Sequence, residues 1–388
     1  MTELLYSQNA YLSDFEAVVL DIAAYRGKPA VILDRTAFFP EGGGQPGDVG
    51  AIGEAAVCDT QIENGTVYHI LQNPAEFTVG DTVSCAVDFD IRFARMQAHT
   101  GEHIVSGIAH NLYRANNVGF HMDGTVMTVD FDVPLTKEQL AVAELKANEC
   151  VYKNAKVTCW YPDEETLEVL AYRSKSDALE NIRIVTVEGY DQCACCAVHV
   201  NRTGEVGLIK ILTSVSHRGG VRITLVCGFT AYRDYVLKHE HTLRIADLLA
   251  AKHGETDMAV EKLLQKQKDL SWQLHLKTQA FIDYIKNNAA YSDGNRVFAF
   301  PDFTPEELKT AAVELKSVCG GLCCVISGDD CKGYYFAIAS SCVNVKDFTK
   351  TVTADLNGSG GGRFDVVQGR FNASKEQIEA YFSELKVI

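Results

Sequence analysis

The apolar positions change their spacing along the chain, and each change marks a different kind of structure. Over residues 1–90 they come in short β-branched runs, Ala17-Val-Val-Leu-Asp-Ile-Ala-Ala, Pro29-Ala-Val-Ile-Leu-Asp and Thr82-Val-Ser-Cys-Ala-Val-Asp, separated by turn formers. Runs of that length and composition are strands, and their succession predicts a small β-barrel-like N-terminal subdomain. Over residues 91–114 the period becomes helical, with Phe93, Met96, Ile104, Ile108 and Leu112 on one stripe. A second amphipathic helix follows, opened by Thr136-Lys-Glu-Gln. Val157-Thr-Cys-Trp-Tyr, Ile182-Arg-Ile-Val-Thr-Val and Gly207-Leu-Ile-Lys-Ile-Leu then read as strands of one sheet that Val221-Arg-Ile-Thr-Leu-Val-Cys-Gly closes.

From Thr230 the pattern is helical again. Leu263, Leu270, Leu274 and Phe281 keep heptad-like intervals, the pattern of a core or partner-helix seam, which predicts a helical hairpin over 231–292. Residues 293–388 read as a separate α/β domain, in which Thr304-Pro-Glu-Glu307 and Ser374-Lys-Glu-Gln377 announce two helix starts. The buried-strand runs Cys323-Cys-Val-Ile-Ser and Tyr334-Tyr-Phe-Ala-Ile-Ala lie between them. The fold class expected is α+β: N-terminal subdomain 1–90, α/β-sandwich core 91–230, helical hairpin, C-terminal α/β domain.

Composition narrows the setting. With 388 residues the chain is long enough for two or three domains. Thirteen cysteines behind a start, Met1-Thr-Glu-Leu-Leu-Tyr, that has neither a basic nor an apolar leader point to a reducing, cytoplasmic compartment with thiols or ligands rather than disulfides. No apolar run is long enough to span a bilayer. A net charge of −15 argues against a general nucleic-acid binder and leaves room for a local basic groove.

Two spacings carry the chemistry. In His99-Thr-Gly-Glu-His103 the histidines are one helical turn apart, so both imidazoles face one point. Cys195-Cys-Ala-Val-His199 offers a sulfur and a nitrogen, and together the four make a tetrahedral set suited to Zn2+. Glu102, beside His103, is a candidate general base, although on a helix it points about 100° away from its neighbour. Upstream, Gly42-Gly43-Gly44-Gln45 follows the bulky Phe38-Phe39-Pro40. Glycines there let backbone approach a ligand, and Gln45 brings both a donor and an acceptor. The glycine-rich stretch Gly358–Gly369 could cradle a phosphate, but matches neither a P-loop nor a dinucleotide fingerprint.

The stretches Thr36–Gly50, His99–His103 and Cys195–Gly207 resemble, in that order, the motifs of the alanyl-tRNA synthetase editing domain and of its free-standing AlaX-type relatives. Gly360-Gly-Gly-Arg-Phe-Asp-Val-Val-Gln-Gly resembles the C-terminal domain of those synthetases, which suggests the long AlaX form. The resemblance implies a trans-editing hydrolase that deacylates mischarged alanine tRNA, chiefly seryl- and sometimes glycyl-tRNA. It implies His99, His103, Cys195 and His199 as zinc ligands, a pocket at Gly42, Gly43, Gly44 and Gln45, and a more weakly carried role for Thr36. The partner implied is tRNA, with Lys262, Lys266, Lys268 and Lys277 either contacting it or forming a solvated face, and with a homodimer through the helical and C-terminal region. Cys196-Ala197-Val198 stands where the family usually has Gly-Gly-Thr. Two other readings remain: a zinc metalloprotease, since His99–His103 also fits H-x-x-E-H, and a non-catalytic, zinc-stabilised tRNA-binding or dimerising module.

Overall fold

The computed structural model describes residues 2–174 and 182–386, and the chain divides into two compact units between Arg244 and Ile245. Mixed α and β content is present in both, as an α+β chain requires.

The first unit begins with six strands that pair in a ring: Asp14–Tyr25, Lys28–Leu33, Thr66–Leu71, Ala55–Glu63, Gly50–Ile52 and Thr82–Val87, the last pairing back to the first. Two of its hairpins turn on residue pairs with positive φ, Arg26-Gly27 and Asn64-Gly65, the geometry that two-residue hairpins favour. Val19, Val31, Leu33, Phe38, Ile52 and Leu71 fill the interior.

The helix Phe89–Tyr113 follows directly. Asp88 caps it by accepting a hydrogen bond from the Ile91 N–H, and Arg114 ends it in a left-handed conformation. Every residue from Met96 to Ala109 is buried, polar ones included. A helix with one wet face cannot do that; this one is enclosed. Leu112, expected on the apolar stripe, is exposed because the last turn leaves the core. The helix Lys137–Lys153 packs on it and carries a capping box from Thr136 and Gln139.

The strands expected to share one sheet form two. Ile209–His217, Gly220–Cys227, Val126–Phe131 and Asn117–Asp123 make a four-stranded sheet. Val157–Trp160, Ile184–Val187 and Asp191–Ala194 make a separate three-stranded one. The cause is the turn at Gly189 (φ 78°), which folds Asp191–Ala194 back onto Ile184–Val187 and occupies the edge that Ile209–His217 would have taken.

The stretch 231–292 contains two helices, Gly228–Leu249 and Thr256–Asn288. The second belongs to the second unit, and of its side chains only Ile282 is buried. That unit's sheet runs Arg296–Ala299, Leu322–Asp329, Gly333–Ser340, Val366–Phe371, Ser359–Gly362. Both expected helix starts are capping boxes, with Pro305 in the first turn of one helix and Ser374 paired to Gln377 at the other. The glycines of the Gly358–Gly369 stretch form an edge strand; a Cβ on Gly360 would stand 2.8 Å from the Phe336 ring. Close strand packing accounts for Gly358, Gly360, Gly362 and Gly369, while Gly361 faces open space. Among the described residues no helix is long and apolar enough to cross a membrane.

Candidate metal centre

His99, Thr100 and His103 project from the buried middle of Phe89–Tyr113, and Cys195 and His199 come from the loop after strand Asp191–Ala194. One donor atom from each of His99, His103, Cys195 and His199 lies within 4.8 Å of the others. The three rings converge at centroid separations of 5.5, 4.9 and 4.7 Å, and the Cys195 sulfur stands 3.6 Å from His99 Nε2.

What aims these rings is a second layer of oxygens, one for each Nδ1. His99 Nδ1 meets Gln45 Oε1 at 3.0 Å, His103 Nδ1 meets Asp191 Oδ2 at 3.0 Å, and His199 Nδ1 meets Thr100 Oγ1 at 3.1 Å. An oxygen acceptor at Nδ1 places the proton there and leaves the Nε2 lone pair for a metal. His199 Nε2 is buried without a hydrogen-bond partner. Burial, with His103 and His99 beside it, holds that imidazole far below its ordinary pKa, so it stays neutral. Burial likewise pushes the Cys195 thiol up, a cost that a coordinated cation reverses by stabilising the thiolate.

The glycine loop covers this cluster. Gly42 and Gln45 exchange backbone hydrogen bonds around Gly43 (φ 59°) and Gly44 (φ 81°). A Cβ on Gly44 would overlap Phe120, whose ring lies 4.8 Å from that of His99. Cβ atoms on Gly42 and Gly43 would each face the Cys196 sulfur at 3.6 Å. Gln45 is fully buried: its carbonyl holds His99 and its Nε2 has no partner. The loop ends at Asp48, which accepts from the Phe39 N–H and from Arg92. Arg92 is itself wholly buried and donates to the Ala10 and Ala37 carbonyls. The Arg92–Asp48 ion pair, joined by Arg95, which donates to the Gly47 carbonyl at 2.6 Å and stands 4.0 Å from Asp48 Oδ1, thus fastens the loop to the helix in the two turns before His99.

Thr36 lies apart from these contacts. Its hydroxyl bonds His69 Nε2 at 2.8 Å and accepts from the Phe38 N–H, while His69 Nδ1 donates to the Val31 carbonyl. Both hydrogen-bonding roles of the hydroxyl are therefore filled. Glu102 does not point away: its carboxylate receives Ser106 Oγ at 2.6 Å and Asn117 Nδ2 on one oxygen and brings the other within 3.9 Å of His103 Nε2. Four residues escaped the sequence reading: Asp191, Thr100, Arg173, which clamps Asp191 at 2.7 Å through two nitrogens, and Arg183, which donates to the Cys195 and Ala197 carbonyls. The alternation Asp191-Gln-Cys193 on a strand leading into Cys195, with Asp191 and Cys193 buried, was the available signal.

Known proteins match the chain along the same lines. Residues 9–91 fit the family described as tRNA synthetases class II (A), and residues 182–224 fit the threonyl and alanyl tRNA synthetase second additional domain. The alanyl-tRNA editing protein AlaX-L of Pyrococcus horikoshii is 28% identical over 97% of this chain and 96% of its own length. The alanine–tRNA ligase of Pyrococcus abyssi is 30% identical over 100% of this chain, which spans 44% of that ligase. The solved C-Ala domain of Aquifex aeolicus alanyl-tRNA synthetase is 27% identical over 23% of this chain and 86% of its own, with a TM-score of 0.20. Near-complete mutual coverage with AlaX-L, together with the second-additional-domain match across Cys195–His199, makes the chain similar over almost its whole length to an alanyl-tRNA editing protein and, over the same span, to part of alanine–tRNA ligase.

Proposed function

We propose that this chain is a trans-editing aminoacyl-tRNA deacylase, which hydrolyses the ester joining serine, and secondarily glycine, to alanine tRNA at a zinc-containing site. The observation that carries the reading is the convergence of three Nε2 atoms and one sulfur whose ring orientations are already fixed by Gln45, Asp191 and Thr100. That donor set fits zinc. His99, His103, Cys195 and His199 would hold the zinc, which, on taking a fifth ligand, would supply Lewis-acid stabilisation of the charge that develops on the ester.

The chain's own groups do the rest. The Gly42–Gly44 loop and Phe120 cover the cluster and exclude bulk water. Gln45 Nε2, buried with no partner, is the donor left for an aminoacyl group. Glu102 takes one proton of the attacking water and returns it to the departing ribose oxygen, giving a ribose hydroxyl and an amino-acid carboxyl group that ionises by losing the second water proton to solvent. The metalloprotease reading is weakened because Cys195 and His199, which it leaves idle, sit in the same cluster as His99 and His103.

The other partner assignments belong to the same proposal. Lys262, Lys266, Lys268 and Lys277 on Thr256–Asn288 meet tRNA phosphates, and the exposed Leu263, Leu270 and Leu274 of that helix supply a homodimer seam. Thirteen free cysteines suit a reducing cytoplasm.

Deacylation of seryl-, glycyl- and alanyl-tRNA for alanine, measured alongside metal content, tests the proposal. Seryl-tRNA should be hydrolysed and alanyl-tRNA spared, about one zinc per chain should be found, and Cys195→Ser should remove both zinc and activity. A zinc-loaded, folded wild-type chain that hydrolyses none of the three esters would favour the non-catalytic module.

A further inference from the structure

Resting on the reading that the cluster holds a divalent metal, we propose that Asp191, clamped by Arg173, is a positioning residue that sets the direction and strength of His103 as a metal donor.

The three histidines are not supported alike. His99 leans on a carboxamide and His199 on a hydroxyl, both neutral. His103 alone leans on a carboxylate, with both side chains about 2% exposed. A carboxylate shares the Nδ1 proton more fully than a neutral oxygen and raises the electron density at Nε2, so His103 becomes the strongest nitrogen donor of the set. Arg173 holds that carboxylate in a fixed plane, Nε to Oδ1 and Nη2 to Oδ2, both at 2.7 Å. The guanidinium also offsets a negative charge that would otherwise be buried beside a cysteine thiolate.

The backbone is shaped for this contact. Gly107 lies one turn beyond His103 on the same helix, and a Cβ there would stand 2.6 Å from the Tyr190 carbonyl and 2.7 Å from Asp191 Cβ. Its missing side chain is what lets strand Asp191–Ala194 come close enough for the 3.0 Å bond. Arg173 is tied to the same strand, its N–H donating to the Gln192 carbonyl and its carbonyl accepting from the Ala194 N–H.

His103, Asp191 and Cys193 also place donor atoms within 4.8 Å of one another, the outline of a second metal group. Arg173 argues against that use: its guanidinium engages both Asp191 oxygens, so a cation there would meet a fixed like charge. Asp191 is an acceptor for His103, not a ligand.

The test uses the full chain loaded with zinc, and separately with Co2+, whose visible spectrum reports the ligand field. Zinc affinity is read by chelator competition for Asp191→Ala, Asp191→Asn and Gly107→Ala. Asp130→Asn is the control, because Asp130 is held by Arg222 through the same two-nitrogen clamp at 2.6 and 2.7 Å, elsewhere in the unit. Asp191→Ala and Gly107→Ala should weaken zinc about 10- to 100-fold. Asp191→Asn, whose carbonyl still accepts from His103, should weaken it less and still shift the Co2+ bands. Asp130→Asn should leave affinity and spectrum at wild-type values. Wild-type affinity and bands in Asp191→Asn and Gly107→Ala, in protein folded by circular dichroism, overturn the assignment while leaving the metal reading intact. Equal weakening by Asp130→Asn overturns it as well, by reducing the effect to general destabilisation. A wild-type chain that binds neither ion removes the metal reading first, and this inference with it.

Discussion

The two units bury different things. In the first, Asp48, Arg92, Gln97, His99, Thr100, Glu102, His103, Ser106, Asn117, Asp191 and His199 all lie inside, most of them on or against one helix. In the second, the buried polar side chains among the described residues are Ser327, Ser340 and Thr349, and the core is aliphatic and aromatic with three buried cysteines, Phe336 stacking on Phe371 at 3.9 Å. Burying a charged or polar group costs free energy unless each partner is supplied, whereas burying Phe or Leu stabilises outright. A core assembled for stability alone looks like the second. The first keeps a costly interior because its polar groups aim one another at a common point.

The sharpest way to break this contrast is to damage each core at its centre. Arg92→Met takes from Asp48 its buried guanidinium partner and leaves only Arg95, 4.0 Å from the other carboxylate oxygen, and should cost about 3 kcal/mol in denaturant unfolding. It should also lower zinc affinity, because the loop that carries Gln45 loses one of its two fastenings to the helix of His99. Phe371→Ala in the second unit should cost a similar 3–5 kcal/mol, yet leave zinc content at one per chain. Zinc retained by Arg92→Met and lost from Phe371→Ala would reverse the roles assigned to the two cores.

The contrast also explains what could be seen from sequence. Apolar period and capping residues report local structure, so the helix of His99, the boxes at Thr136, Thr304 and Ser374, and the strand runs were legible. The metal spacings were legible too, because i and i+4 lie on one helical face whatever surrounds them. Partners distant in sequence were not. Asp191 meets His103 across 88 residues and Arg92 meets Asp48 across 44; the Asp191-Gln-Cys193 alternation marks a strand face but names no partner, and nothing local to Asp48 does either. The split of the central strands into two sheets depended likewise on one turn at Gly189. For Glu102, helical geometry gave the direction of Cβ but not the bend of the side chain that Ser106 and Asn117 impose.

A smaller effect separates the cores by pH. Burial lowers the pKa of His69 to about 4, against about 6.5 in an unfolded chain. The folded state then binds fewer protons than the unfolded state between those values, so stability present above pH 6.5 should be lost as pH falls towards 4, by about 3 kcal/mol in all. Unfolding free energies of wild type and His69→Gln, measured across that window, check this. The wild-type curve should fall more steeply, and parallel curves would show that His69 is solvated.

The smallest effect concerns selectivity, and it decides which of two buried side chains faces the substrate. Sparing alanyl-tRNA while cleaving seryl-tRNA requires a polar group that pairs with the serine hydroxyl, because a site built around that hydroxyl rejects the analogue lacking it. Val198 offers none. The Thr36 hydroxyl is engaged by His69 and the Phe38 N–H, whereas Gln45 Nε2 is buried with no partner while its carbonyl holds His99. Gln45→Glu keeps an acceptor for His99 and removes the free amide donor, so it should reduce the ratio of seryl- to alanyl-tRNA deacylation rates by about tenfold, near 1.4 kcal/mol, with zinc content unchanged. Thr36→Val should lower stability by about 1–3 kcal/mol through the unpaired His69 nitrogen and Phe38 N–H, and move the ratio less. A larger drop in the ratio with Thr36→Val than with Gln45→Glu would mean that Thr36, through its methyl face or a rearranged hydroxyl, shapes the pocket and that Gln45 serves only to hold the metal ligand.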